Sequence, residues 1–333
     1  MADLTRQNYY QIAELAADAW NLSVANLDLV SKSENVVFRL DTNEGDTLVL
    51  RIHRPGYHTL AELQSEQQWT AALNQAGLHV PVPRMLPTGA GYACIAVPGS
   101  DEHRYVGLME WFEGVPLADI LDETSDESVV ADYFRQLGQI MAKIHNQATT
   151  WTLPNNFQRH AFDADGLMGD SPFWGPFWHL PQLTDKERTQ ILSARHAIHG
   201  ILSNYGKDSN PQNGTYSLIH SDFHAGNLLI NGNQLHVIDF DDSGFGWHQY
   251  DLAVALFHYQ GSPLFETLYK ALIAGYRSHR TLDDDAIELI PLFLLIRAMA
   301  QIGWTYARPE LNKSDRLPGL IARVCAQSDE LGL

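Results

Sequence analysis

"LIHSDFHAGNLLINGNQLHVIDFDDSG", residues 218 to 244, gathers Asp, His and Asn side chains between apolar runs. "YSLIH" and "QLHVIDF" are apolar or alternating and read as short strands, with "HAGNLLINGN" as the loop and hairpin between them. That arrangement fixes Asp222, Asn227 and Asp239 around one point, the Asn five positions after the first Asp and the second Asp twelve beyond that. Phosphoryl transfer from ATP needs a carboxylate to orient and accept the proton of an attacking hydroxyl, and hard oxygen ligands to hold magnesium against the phosphates. Asp, Asn and Asp supply that set. Asp and Asn are also common turn residues, and Gly226 and Gly232 favour turns, so the three positions alone fit either reading.

The chain around this stretch has 333 residues, more than one core usually absorbs, so two lobes are expected. With 22 Lys and Arg against 40 Asp and Glu, its net charge of -18 should repel nucleic acid and anionic membrane surfaces. Cys94 and Cys325 stand far apart in no ligand spacing, which argues against a disulfide framework or thiolate metal site and fits a reducing cytoplasm. "MADLTRQNYYQIAELAADAW" lacks a secretory signal pattern and reads as an amphipathic helix. The longest apolar run, "LIPLFLLIRAMA" (289 to 300), is broken by Arg297 and is short for a bilayer span.

Working from the amino terminus, "NVVFRLDTNEGDTLVLRIHR" predicts a hairpin over 35 to 53, turned by "TNEGD". Residues 60 to 77 carry Leu60, Leu63, Trp69, Ala72 and Leu73 near helical spacing, ending at Gly77, which can take a left-handed cap. Prolines forbid a helix in "HVPVPRML", after which "YACIAVP" and "YVGLMEWFEG" predict two further strands. From 126 to 147 the chain turns helical, and helices return at 184 to 205 and again after the opening stretch. The Pro, Gly and aromatic-rich region 148 to 183 is a candidate substrate loop, since structureless stretches of such length are usually functional.

In "HSDFHAGN" and "IDF" the chain resembles the aminoglycoside phosphotransferase and choline kinase superfamily, relatives of the protein kinases, whose catalytic segment reads H-x-D-x-x-x-x-N followed by I-D-F or I-D-W. "YDLAVAL" (250 to 256) also matches, and the resemblance runs from about residue 28 to 300. It implies an α+β, protein-kinase-like bilobal fold: a small β-rich N-lobe over 1 to 109 that binds nucleotide, and a larger, mostly helical C-lobe over 110 to 333. By carry-over, Asp222 resembles the catalytic base and His220 the residue that shapes its loop. Asn227 and Asp239 resemble the magnesium ligands, and Asp251 the buried Asp that holds the loop backbone, a position that also suits a helix N-cap. In "LMEWFEG", the backbone of Glu110, Trp111 and Phe112 resembles the linker that hydrogen-bonds adenine.

Two departures stand out. No lysine lies between Lys32 and Lys143, so Arg51 fills the phosphate-lysine position, with Glu66 as its expected partner. No G-x-G-x-x-G precedes that strand; "SKSENVVFRL" stands there, with Ser31, Ser33 and backbone N–H groups to cradle phosphate.

The implied activity is transfer of the γ-phosphate of ATP, with Mg2+, to a hydroxyl of a small molecule such as an aminoglycoside, choline or homoserine. "SENVVFRL" and "RIHRPG" look nearest to the branch holding type II homoserine kinase and the bacterial stress-response kinase. His224, Asp241 and Asp242, with the aromatics Trp174, Phe177, Trp178 and Trp247, are candidates to line the acceptor pocket. A monomer or homodimer is expected. Rival readings are a kinase-fold pseudoenzyme, a protein Ser/Thr kinase, a haloacid-dehalogenase-like phosphatase with Asp239 as nucleophile and Asp241 as acid, and a metal hydrolase on His220, Asp222 and His224.

Overall fold

The computed structural model describes residues 4–124, 126–232, 234–311 and 313–333. The first three residues of the expected opening helix and Asn233 of the expected hairpin lie outside them. The chain divides into two compact units, one of residues 1–115, 153–158 and 229–241, the other of 116–152, 159–228 and 242–333.

The first unit opens with α1 (Arg6–Ala19), started by a capping box in which the Thr5 and Asn8 side chains serve each other's backbone N–H groups. Next come β1 (Val24–Lys32), β2 (Val36–Thr42), β3 (Thr47–Ile52), α2 (Leu60–Gln75), β4 (Tyr92–Ala96) and β5 (His103–Glu110). The five strands form one sheet in the order β1-β2-β3-β5-β4, antiparallel at each pairing. The hairpin, the second helix and the two later strands stand where the periodicity placed them. β1 was not anticipated: it lies at the sheet's edge, mostly exposed, and so lacks the clear alternation of a strand with one buried face. In β2, Val36, Phe38, Leu40 and Thr42 point into the core on a strict period of two. The buried face of α1, Ile12, Ala13, Ala16 and Ala17, joins Phe38, Leu40, Leu50 and Leu108 in one apolar cluster. Helix α2 has its own capping box, Thr59 with Glu62, and ends before Gly77 at φ +83.

The second unit is mainly helical. After β6 (Val115–Pro116) come α3 (Leu117–Glu123), α4 (Glu127–Thr150), β7 (Ala161–Phe162), α5 (Ala164–Met168), α6 (Asp185–Tyr205) and β8 (Tyr216–Ile219). The short strands β9 (Leu228–Asn231) and β10 (Gln234–Val237) pair with each other and, from residue 229 on, belong to the first unit. Then follow β11 (Gly244–Trp247), α7 (His248–Leu256), α8 (Phe265–Arg277), α9 (Asp284–Glu288), α10 (Ile290–Tyr306) and α11 (Leu317–Leu331). This antiparallel-sheet unit and mostly helical unit make the α+β class expected from the sequence.

Helices α4 and α8 pack against each other through glycine. A Cβ on Gly138 would stand 2.1 Å from the Leu272 carbonyl oxygen, and one on Gly275 would stand 2.0 Å from that of Arg135. All nine residues of α7 are buried. The apolar run around Arg297 proves longer than expected: Asp284–Tyr306 has the length and composition of a membrane span, yet 72% of its most apolar window is buried inside the protein, as in a core helix. Region 148 to 183 is not structureless either. It holds β7, α5 and a short 3-10 turn at Phe177–His179, and Phe162, Trp174, Phe177 and Trp178 pack inward.

Candidate active site

The first unit assembles a buried charge cluster. Arg51 leaves β3 with only 4% exposure, and its guanidinium pairs with Glu66 of α2. It also reaches Asp239 Oδ1 at 3.3 Å and Asp241 Oδ1 at 4.0 Å. Burial opposes the charge on Arg51, but Glu66 and Asp241 outweigh it and hold the guanidinium protonated. Tyr92 lines a small pocket with Arg51, Glu66, Met109 and Asp239, and its hydroxyl donates to the Leu63 carbonyl at 3.2 Å. The expected Arg51 and Glu66 pair is therefore present as a geometric fact.

Asp239 keeps half of its side chain exposed and sits at φ +63, in the left-handed region that a non-glycine residue enters at a cost of about 1 kcal/mol. Phe240, wedged edge-on against Trp69 at 5.5 Å between ring centroids, anchors the chain there. An oxygen donor held in a strained backbone, partly open and beside a buried cation, would suit a hard divalent metal.

Asp241 corrects an expectation. Instead of lining an acceptor pocket it is buried, 3.5 Å from His53 Nδ1 and 3.7 Å from His58 Nε2 as well as beside Arg51. Burial alone would raise its pKa, but His53, Arg51 and His58 together hold it well below the ordinary carboxylate range. An acid fixed as an anion cannot serve as the proton donor that the phosphatase reading requires.

Glu110 closes β5, with its N–H donating to the Val82 carbonyl at 3.0 Å. The Trp111 ring lies under the Arg39 guanidinium at 5.1 Å, and Phe112 rests on His236 at 4.4 Å. Ser33 lies exposed in the turn between β1 and β2, its N–H donating to the Asn35 carbonyl at 3.0 Å.

The second unit carries the loop from His220 to Asn227. Strand β8 delivers His220, Ser221 and Asp222, and Asp251 at the start of α7 clamps the turn. Its fully buried carboxylate accepts from the His220 N–H at 3.0 Å and the Ser221 N–H at 2.7 Å. That clamp holds Ser221 at φ +65. His220 Nδ1 accepts from the Asp222 N–H at 3.3 Å, so this ring shapes the loop; a buried ring so committed is a poor zinc ligand.

Asp222 is held from three sides. Arg297 of α10 donates to Oδ1 at 2.6 Å; His224 Nε2 lies 3.3 Å from Oδ2, and Asn227 Nδ2 donates to the same oxygen at 3.2 Å. His224 Nδ1 accepts from the Gly226 N–H at 3.0 Å, which places the ring proton on Nε2, toward the carboxylate. Burial pushes the Asp222 pKa up, but His224 and Arg297 more than reverse this and keep it ionised. Asn227 also donates to the Asp222 carbonyl at 2.9 Å. With its amide nitrogen committed there, Oδ1 is the atom left to act as a hard ligand.

Three proposed pocket aromatics are core residues instead. Trp247 is 1% exposed and donates to the Gly206 carbonyl at 2.8 Å; Trp178 packs under the Arg195 guanidinium at 4.1 Å; and Phe177 is equally buried. Trp174 is buried too, its ring nearly parallel to those of Phe162 and Tyr250; its Nε1 donates to Asp242 at 3.2 Å and its ring faces Arg297 at 5.9 Å. These rings are too deep to contact an acceptor directly.

Arg297 was missed as a partner of Asp222. Its signal was a lone charge within an apolar helix, first read as an interruption. A second omission is the polar chain beneath the loop. His145 of α4 bridges Asp251 at 3.0 Å and the Tyr276 hydroxyl at 2.8 Å; Tyr276 meets His248 at 3.2 Å, which reaches Ser217 at 2.8 Å. His145 and His248 stack at 4.0 Å. Nothing in the spacing of these four residues announces that they meet.

The profile described as the phosphotransferase enzyme family matches residues 28–286. Amicoumacin kinase of Bacillus subtilis (strain 168) is 22% identical over 312 residues, covering 91% of this chain and 86% of that protein. A solved microcompartment-associated aminopropanol kinase superposes with a TM-score of 0.80 at 28% identity, over 96% of this chain and 95% of that one. An amicoumacin kinase bound to AMP-PNP and Ca2+ superposes with a TM-score of 0.79 at 18% identity, over 99% and 96%, a likeness of fold.

Proposed function

The chain belongs to the phosphotransferase enzyme family, and on that premise we propose that it moves the γ-phosphate of ATP, with Mg2+, to a hydroxyl group of a small molecule. One observation carries this: Asp222 is ionised and held from three sides, with the Asn227 amide turned so that its oxygen is left for a metal. A binding module has no use for a carboxylate so arranged. The acceptor class to test first is an amino alcohol, because the relatives include an aminopropanol kinase.

In this reading the Asp222 carboxylate orients the acceptor hydroxyl and takes its proton. The hydroxyl oxygen forms a bond to the γ-phosphorus as the bond from that phosphorus to the β–γ bridging oxygen breaks, and ADP leaves with the electron pair. Arg51, fixed by Glu66, supplies positive charge toward the nucleotide phosphates. Asn227 and Asp239 would hold the metal, which neutralises phosphate charge when bound. The backbone of residues 110 to 112 would hydrogen-bond adenine, and the turn at Ser33 would cover phosphate. His224 is the candidate to touch the acceptor, since its side chain is 30% exposed beside the base.

Two measurements test the proposal. Millimolar ATP with Mg2+ should raise the melting temperature through preferential binding to the native state. An ATP-consumption screen over amino alcohols, choline, homoserine, aminoglycosides and a generic protein substrate should then yield turnover. Asp239→Asn should weaken the nucleotide-induced shift. A protein that binds nucleotide but turns over nothing would favour the pseudoenzyme reading, and preferential phosphorylation of the protein substrate would favour a Ser/Thr kinase.

A further inference from the structure

We propose that Arg297 is a positioning residue of the transfer step: it fixes the Asp222 carboxylate by one oxygen, so that one remaining lone pair faces the acceptor hydroxyl. The inference rests on the kinase reading above and assigns a role to a residue outside the motifs that support it.

A carboxylate has about four lone-pair sites. On Oδ2 of Asp222, Asn227 Nδ2 at 3.2 Å and His224 Nε2 at 3.3 Å occupy two. On Oδ1, Arg297 Nη2 at 2.6 Å occupies one and leaves one. That free site is where a hydroxyl can be oriented. Without the arginine, χ1 and χ2 of Asp222 would be set by two long contacts alone, and the carboxylate could rotate to offer either oxygen.

The arginine is built to hold still. It stands in the interior of α10 at 4% exposure, with Trp174 facing it at 5.9 Å. Its surroundings in "LLIRAMA" are apolar, and an apolar side chain there would avoid the desolvation of a buried cation. Nor does a web of main-chain carbonyls account for it: its hydrogen bond goes to Asp222 Oδ1, and the buried Tyr250 hydroxyl is the other polar group that supports its charge. Among the described residues its one ion-pair partner is Asp222. A buried cation in an apolar helix whose sole salt bridge goes to the proposed base points to the base as its purpose. Arg280, equally buried, is the contrast, since it donates to Asn146 and to the Pro211 and Gly214 carbonyls and staples a loop.

The test uses the full chain with the best acceptor from the screen, and compares Arg297→Ala, Arg297→Leu and Arg297→Lys. Arg297→Ala should lower kcat about 100-fold, the scale of a misplacement near 1 Å, and leave KM for ATP within about twofold. Millimolar guanidinium should recover roughly tenfold of that loss in the alanine variant by entering the vacated space, and nothing in the leucine variant. Arg297→Lys should retain more activity than Arg297→Ala, because the charge remains while the fork is lost. The proposal is overturned if kcat of Arg297→Ala stays within about twofold of the parent, or if the loss only tracks a lower folded fraction and guanidinium restores nothing. A parent protein that neither shifts in melting with ATP nor turns over any acceptor sinks the kinase reading itself, and this inference with it.

Discussion

Replacing Asp222 by Asn should harm the enzyme twice, and the two injuries are separable. The first is chemical: an amide cannot take the acceptor's proton, and a positioned base contributes about 100-fold to 10,000-fold, so kcat should fall within that range. Nucleotide affinity should hold, because the base acts mainly as the transition state forms. The second is structural. Arg297 stays buried with its counter-charge removed, its side chain 5% exposed against 26% for Asp222. If the new amide oxygen faces Arg297, the amide nitrogen must face Asn227 Nδ2 and His224 Nε2, which sit 3.2 Å and 3.3 Å from Oδ2, a donor against two donors. Truncating a buried pair costs about 3–5 kcal/mol; a retained hydrogen bond and partial exposure reduce this to about 2 kcal/mol. Coupled ADP release and thermal melting read the two effects separately, and the double variant with Arg297→Met tests their origin. Removing both charges should return part of the lost stability, a coupling of about 1 kcal/mol or more. Additive losses would refute the energetic importance of the pair, and an Asp222→Asn enzyme with more than about a tenth of parental kcat would refute the base.

Two further outcomes follow from buried charge. Arg51→Ala should weaken the ATP-induced melting shift and also cost about 3–5 kcal/mol of stability, because Glu66 and Asp241 would be left buried without their cation, whereas Arg51→Lys should keep most of the stability; melting with and without ATP checks both, and a stable alanine variant would contradict the burial argument. Burial depresses the pKa of His145, despite Asp251 beside it, and depresses that of His248 further. Both are neutral in the native chain. Above the unfolded value near 6.5 their contribution is complete; as pH falls below it the unfolded chain binds protons that the native state refuses, costing about 1.4 kcal/mol per pH unit for each histidine. Melting temperature should therefore drop from about pH 6.5 downward, less steeply in His248→Gln, and a flat profile to pH 5 would argue against neutral buried imidazoles.

How much of this was legible depended on whether a residue's partners were close in sequence or periodic. The hairpin of β2 and β3 could be read because alternation and a turn are local, and the loop from His220 to Asn227 because its spacing is itself the signal. The Arg51 and Glu66 pair could be named because one strand and the next helix carry them. Asp241 could not be placed. Its sequence neighbours suggest an open acidic cluster, and only folding brings Arg51, His53 and His58 around it. The aromatics of 148 to 183 misled for a related reason: a Pro-rich run of rings looks like a pocket wall, but Phe177 and Trp178 fill the second unit's interior.

Arg297 is the instructive case. Propensity scores it as one charge in a mostly apolar helix, and a helix tolerates that at small cost. Burial changes the weight of the observation. An arginine at 4% exposure needs polar partners for its charge, and a search along its own helix finds no anion; the anion is Asp222, 75 residues earlier. A lone charge in an otherwise apolar core helix is thus better treated as half of a pair whose other half must be sought. In a chain with an Asp on a glycine-flanked loop, that loop is the first place to look, because few other anions can approach a buried helix without burying an unmatched charge of their own.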